Sequence, residues 1–176
     1  MIYHPVTTSA SEIENELNLL FKALLEEKTN IVCVLPNSDA GSSEILSFYE
    51  QYLNHPKVFF VSSFEQRDYL SLLKNASVMV GNSSSGIIEA ASFYVPVINI
   101  GTRQFRRERS ANTIDVGTDY SEIKEALARI KEDDFTEMLH VVENVYAKEN
   151  TSELVVNFLK RLDSFGEALT QKTIYY

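Results

Sequence analysis

Short runs of apolar, often β-branched residues alternate along this chain with longer stretches whose apolar positions recur every three or four residues. The first pattern is that of buried parallel strands and the second that of amphipathic helices. The chain therefore reads as a series of βαβ units, an α/β fold with a Rossmann-like parallel sheet and helices on both faces. Ile2 and Tyr3 read as the remnant of a strand. Residues 4–11 form a polar connection with several candidate caps, after which Ile13, Leu17, Leu20 and Leu24 fall at helical spacing as far as Lys28. Strands are predicted at 30–35, 57–61, 77–80, 96–100 and 113–116, and helices at 44–53, 65–75 and 86–93. Asp119 or Ser121 can cap a further helix with Ile123, Leu127 and Ile130 on its apolar face. Beyond Glu132 only helices are predicted, at 134–146 and 151–170, the second amphipathic through Leu154, Val155, Phe158, Leu159 and Leu162.

Composition narrows the function classes more than the fold. The chain has 176 residues, enough for one sizeable core, and one domain over 1–176 is the expectation. A formal charge of -9 repels a nucleic-acid backbone, so DNA and RNA are not expected partners. One basic cluster, Arg103, Arg106, Arg107 and Arg109, suits a small anionic ligand better than a polymer, or is simply a solvated loop. Cys33 is the sole cysteine, which excludes an internal disulfide and a cysteine-based metal cluster, and no metal site is expected. The longest apolar run, 31–35, falls far short of the roughly 18 residues of a membrane span. The N-terminus lacks the order of a signal peptide, so the expected location is the cytoplasm and no membrane partner is predicted. Met1 directly precedes the strand remnant, which suggests a piece of a longer protein.

Candidate chemistry lies just beyond the predicted strands. Gly81-Asn82-Ser83-Ser84-Ser85-Gly86 joins a strand to a helix, and Glu89 follows one turn into that helix. Small residues let a backbone approach a ligand, and the amides of a helix start suit phosphate oxygens. A carboxylate at Glu89 can accept from both hydroxyls of a ribose. The plainer reading is a serine-capped helix start. Asn99-Ile100-Gly101-Thr102-Arg103-Gln104 ends another strand, with Arg103 a candidate phosphate fork or simply a surface arginine. His4-Pro5-Val6-Thr7 and Pro36-Asn37-Ser38-Asp39-Ala40-Gly41-Ser42 end two more, as ligand contacts or as a solvated histidine and an ordinary turn. In a doubly wound sheet such loops face one crevice.

Those four segments, in this order and spacing, resemble the UDP-N-acetylglucosamine 2-epimerase family, particularly its hydrolysing members of sialic and related nonulosonic acid synthesis. The resemblance runs from about Ile2 to Glu125, and more loosely through the terminal helices. It implies the C-terminal half of a glycosyltransferase-B-like two-domain fold, with a UDP-sugar held between the halves. His4 and Asn37 would help hold the nucleotide, Ser83, Ser84 and Arg103 the diphosphate and Glu89 the ribose, while the backbone near Phe64 would meet the uracil. No cofactor is implied. The acid–base groups of the family lie mainly in the N-terminal half, so no catalytic residue is assigned here, and the chain alone is expected to bind UDP weakly without turnover. Its exposed cleft face favours self-association, and the helix from about 151 to 176 is expected to cross to the other half. A glycosyltransferase of the same fold and a non-catalytic UDP-sugar sensor are the alternatives. Arg106 and Tyr94 stand where relatives often carry Gly, or Gly or Lys. Arg does not normally take a positive φ, so the loop after Arg103 is expected to run differently. Ala91, where hydrolysing members frequently have Pro, affects only the helix.

Overall fold

The computed structural model describes residues 1–6 and 12–161. Among these residues five strands run parallel: β1 (Ile31–Val34), β2 (Val58–Val61), β3 (Met79–Gly81), β4 (Val97–Ile100) and β5 (Thr113–Val116). β1 pairs with β2, and β4 lies between β3 and β5. Ile2 joins the two groups by bridging Val34 on one side and Gly81 on the other, both in parallel. Counting Ile2 as the first strand position gives the sheet order 3-2-1-4-5-6. That is the doubly wound arrangement whose ligand crevice opens where the winding reverses, between positions 1 and 4.

The alternation of side chains sends each strand into two apolar layers. Cys33, Val80, Ile98 and Ile100 pack on one face with α1 (Ile13–Leu25), α2 (Ser42–Tyr49), α5 (Tyr120–Arg129) and α6 (Asp133–Leu139). Phe21, Phe48, Tyr49 and Tyr52 cluster there, the Phe21 and Phe48 rings 5.2 Å apart edge to face. Ile2, Met79 and Val97 meet the other layer, which holds Leu73 of α3 (Gln66–Lys74) together with Ala90 and Val95. Gly86 permits close helix–strand contact in that layer, since a Cβ there would lie 2.9 Å from Val97 Cγ1.

The strand and helix order follows the sequence pattern, with shifts at the ends. The helix predicted at 86–93 is α4 (Ser84–Ile88) followed by a 3-10 turn at Ala90–Phe93. It starts two residues early because Ser83 caps it, its hydroxyl accepting from the Ser85 N–H at 3.3 Å. Asp119 stands at the N-cap of α5, without a side-chain cap bond. The helix predicted at 134–146 ends at Leu139.

A second compact unit begins at Tyr146. Within it α7 (Thr151–Lys160) exposes Leu154, Val155, Val156, Phe158 and Leu159. Leu162 and the rest of the predicted helix lie outside the described residues. No helix among the described residues is long and apolar enough to cross a membrane. A cavity of about 560 Å³ lies at the upstream ends of β1 and β3, where only Met1 and Ile2 separate them. Its walls include Leu24, Ile31, Leu73, Met79, Leu127 and Ile130, so it opens at the opposite end of the sheet from the candidate loops.

Candidate functional site

Where the winding reverses, the chain emerging from Ile2 meets the chain emerging from β3, and Asn82 joins them. The residue is 1% exposed. Asn82 Oδ1 accepts from the His4 N–H at 2.7 Å, and Nδ2 donates to the His4 carbonyl at 2.8 Å. The side-chain amide thus extends the pairing beyond the last ladder bond, in which Asn82 N–H donates to the Ile2 carbonyl at 3.1 Å. Its own carbonyl receives Gln104 Nε2 at 2.8 Å and Arg103 Nη1 at 3.2 Å. Three strand ends are therefore fastened through one residue: the central position, β3 and β4. Sequence reading places Asn82 in a ligand loop without giving it a role. A polar side chain directly after a strand buried at every position is the available signal.

His4 joins this group from the central position. Burial is the largest influence on its imidazole and lowers its pKa from 6.5, and the Arg103 charge lowers it further. A hydrogen bond with Asn37 and the nearby Asp39 carboxylate oppose the shift. His4, Asn37 and Arg103 are thus brought together from three separate loops. His4 Nδ1 and Gln104 Oε1 are buried there without a hydrogen-bond partner among the described residues.

A lowered histidine pKa has a definite sign for stability. Between the folded and unfolded pKa values the unfolded chain binds more protons, so stability rises with pH up to about 6.5 and falls as pH drops below it. Urea midpoints at pH 5.5 and 7.5 are expected to differ less in the His4→Gln variant than in the parent chain, once other groups cancel in the comparison.

Ser83 and Ser84 open α4 beside Asn82. The first N–H groups of a helix lack an intrahelical acceptor, and here the Ser83 hydroxyl takes that of Ser85. Capping, the plainer reading of the serines, is thus realised at Ser83. Glu89, half-buried at the C-cap of α4, accepts from the Ser85 hydroxyl through Oε2. Phe64 stands apart, half-buried beyond the end of β2 and two strand positions from Ile2 on the same edge.

The four arginines do not form one patch. Arg103 turns inward to Asn82, whereas Arg109 pairs with Asp115 at 2.9 Å, and Asp115 also accepts from the buried Asn99 at 2.6 Å. Arg106 and Arg107 are exposed, the Arg106 guanidinium 5.6 Å from the Phe105 ring centre. Arg106 takes φ 66° and Tyr94 φ 60°. Neither side chain therefore diverts the backbone from the left-handed region, at a cost of roughly 1 kcal/mol each.

The sequence and the fold, taken as a whole, have matches among known proteins. The family pattern described as UDP-N-acetylglucosamine 2-epimerase matches residues 1–160. A UDP-N,N'-diacetylbacillosamine 2-epimerase (hydrolyzing) from Legionella pneumophila is 36% identical over 179 residues, covering 99% of this chain and 45% of that protein. A UDP-N-acetylglucosamine 2-epimerase of Neisseria meningitidis serogroup B is 42% identical over 120 residues, 68% of this chain and 31% of that protein. The fold is shared with the S. aureus MnaA–UDP co-structure, at TM-score 0.70 and 15% identity over 99% of this chain and 47% of that one. It is shared as well with a Methanocaldococcus jannaschii UDP-GlcNAc 2-epimerase in complex with UDP-GlcNAc and UDP, at TM-score 0.68 and 14% identity, over 90% and 44%. The chain thus spans less than half the length of these relatives.

Proposed function

The chain belongs to the UDP-N-acetylglucosamine 2-epimerase family, and from that premise we propose that it is the domain that grips UDP in a hydrolysing 2-epimerase. The observation that carries the reading is the convergence of His4, Asn37, Arg103 and the α4 start on the reversal point of the sheet. One guanidinium N–H of Arg103 is spent on Asn82, and the others can meet a diphosphate together with the amides at Ser83 and Ser84. Glu89 accepts the ribose hydroxyls through the oxygen that Ser85 leaves open, and the backbone near Phe64 reaches the uracil. His4 and Asn37 complete the grip on the nucleotide.

The whole protein would convert UDP-N-acetylglucosamine or a diacetamido analogue to the 2-epimeric free sugar and UDP, by anti elimination of UDP and addition of water. This chain would contribute binding and orientation, and its partner would be an N-terminal catalytic half. The helix from about 151 would cross to that half. A buried free Cys33 suits a cytoplasmic protein. Calorimetric titration of the chain with UDP tests the reading. We expect weak saturable binding, no turnover of a UDP-sugar, and a roughly 10- to 100-fold loss of affinity in the Arg103→Ala variant, the effect of one hydrogen bond to a charged group. Undiminished affinity in that variant would remove Arg103 from the site.

A further inference from the structure

The Glu89 carboxylate does not stand alone. Ser85 Oγ donates to Glu89 Oε2, and Tyr69 of α3 shares a hydrogen bond with the same serine oxygen. A serine hydroxyl carries one proton, and here that proton goes to the carboxylate. The bond between Tyr69 and Ser85 must then be donated by Tyr69. The three groups form a one-way chain from phenol to serine to carboxylate, in which each bond polarises the next.

The ring that begins this chain is held by packing. Tyr69 lies against the layer of Ile2, Leu73, Met79, Ala90, Val95 and Val97, with its oxygen 4.0 Å from Met79 Sδ. A phenol at the border of an apolar layer is fixed in two angles and needs a polar partner for its tip. Ser85 supplies that partner, and the serine is itself fixed in the first turn of α4. The carboxylate is thus tied at Oε2 to two elements of the fold, α3 and α4, and Oε1 is the oxygen left for a ligand. An ionised carboxylate accepts hydrogen bonds and donates none. Held in one orientation, it rewards a ligand that brings hydroxyl donors to Oε1 and gives nothing to one that lacks them.

We propose that Tyr69 and Ser85 are positioning residues for Glu89, and that through them the site selects a nucleotide whose ribose carries free hydroxyls. The inference rests on the reading of Glu89 as the ribose-binding residue. Neither Tyr69 nor Ser85 touches the ligand. Their effect is to keep the carboxylate from swinging to a rotamer in which it meets water instead.

The test is a comparison of affinities for UDP and 2′,3′-dideoxy-UDP in the parent chain and in Tyr69→Phe, Ser85→Ala and Glu89→Gln. The parent is expected to prefer UDP by roughly tenfold or more, the effect of hydrogen bonds to a charged acceptor. Tyr69→Phe and Ser85→Ala should each cut that preference by roughly threefold or more through weaker UDP binding, with dideoxy-UDP affinity unchanged. General damage to the site would weaken both ligands together and leave the ratio intact, which would overturn the inference. It is overturned equally if both variants keep the parental ratio while Glu89→Gln abolishes it, because Glu89 would then act unaided. If the parent binds UDP without preferring it over the dideoxy analogue, the ribose reading of Glu89 fails, and the inference falls with it. If the parent binds neither, the failure belongs to the UDP reading itself.

Discussion

Replacing Gly81 with alanine is expected to destabilise the chain by about 4 kcal/mol or more, the range reserved for changes that break a core feature. Gly81 has φ 134°, a region that residues with a Cβ rarely enter. A Cβ built there would lie 1.9 Å from the Ile2 carbonyl oxygen and 2.7 Å from its carbon, both backbone atoms. That carbonyl cannot retreat without cost, since it accepts the Asn82 N–H and closes the sheet between its two halves. Gly101→Ala is the control. Gly101 also has a positive φ, 69°, but nothing lies within 4 Å of its built Cβ, so only the backbone strain of roughly 1 kcal/mol is expected. Urea unfolding of the two variants checks the contrast, and equal losses would show that the Ile2 strand position yields easily.

Asn82→Ala should be the next most damaging change, at about 3 kcal/mol. It removes two hydrogen bonds to His4 and leaves the half-buried His4 N–H and C=O without these partners, each worth about 1–3 kcal/mol. Asn82→Asp separates geometry from chemistry. The acid keeps the acceptor for the His4 N–H but sets a second oxygen against the His4 carbonyl, so it should recover little of the loss. UDP affinity is expected to fall in both variants, because the same amide sets the course of the chain that carries His4. Recovery of full stability by Asn82→Asp would contradict the role assigned to the two bonds.

The two residues also show where sequence reading reaches its limit. The alternation of apolar runs with helical spacing is enough to place β1 to β5 and most helices, because strands buried on both faces read as continuous apolar runs while helices buried on one face leave a helical period. The loops that gather at one edge are legible too, since each follows a strand. What Asn82 does is not legible: a side chain that copies a backbone partner leaves no periodicity, and only the fold brings it to His4. The arginine cluster misleads for a related reason. Four arginines close in sequence lie on a loop that turns Arg103 inward and ties Arg109 to Asp115, a contact with a residue of the next strand. The sequence pattern opens the helix after β3 too late, because Gly86 reads as the opener while Ser83 in fact caps it. Arg106 goes against expectation because propensity disfavours a positive φ without forbidding it.

The central claim is that UDP sits at the edge where the sheet reverses its winding, and amide chemical shifts during a titration of this chain with UDP test it most directly. Saturable shifts are expected on residues 82–89 and 101–104, with little change around Leu127, Ile130 and Lys131 at the opposite end of the sheet. Absence of saturable shifts at millimolar UDP, or shifts gathered at that opposite end, would contradict it.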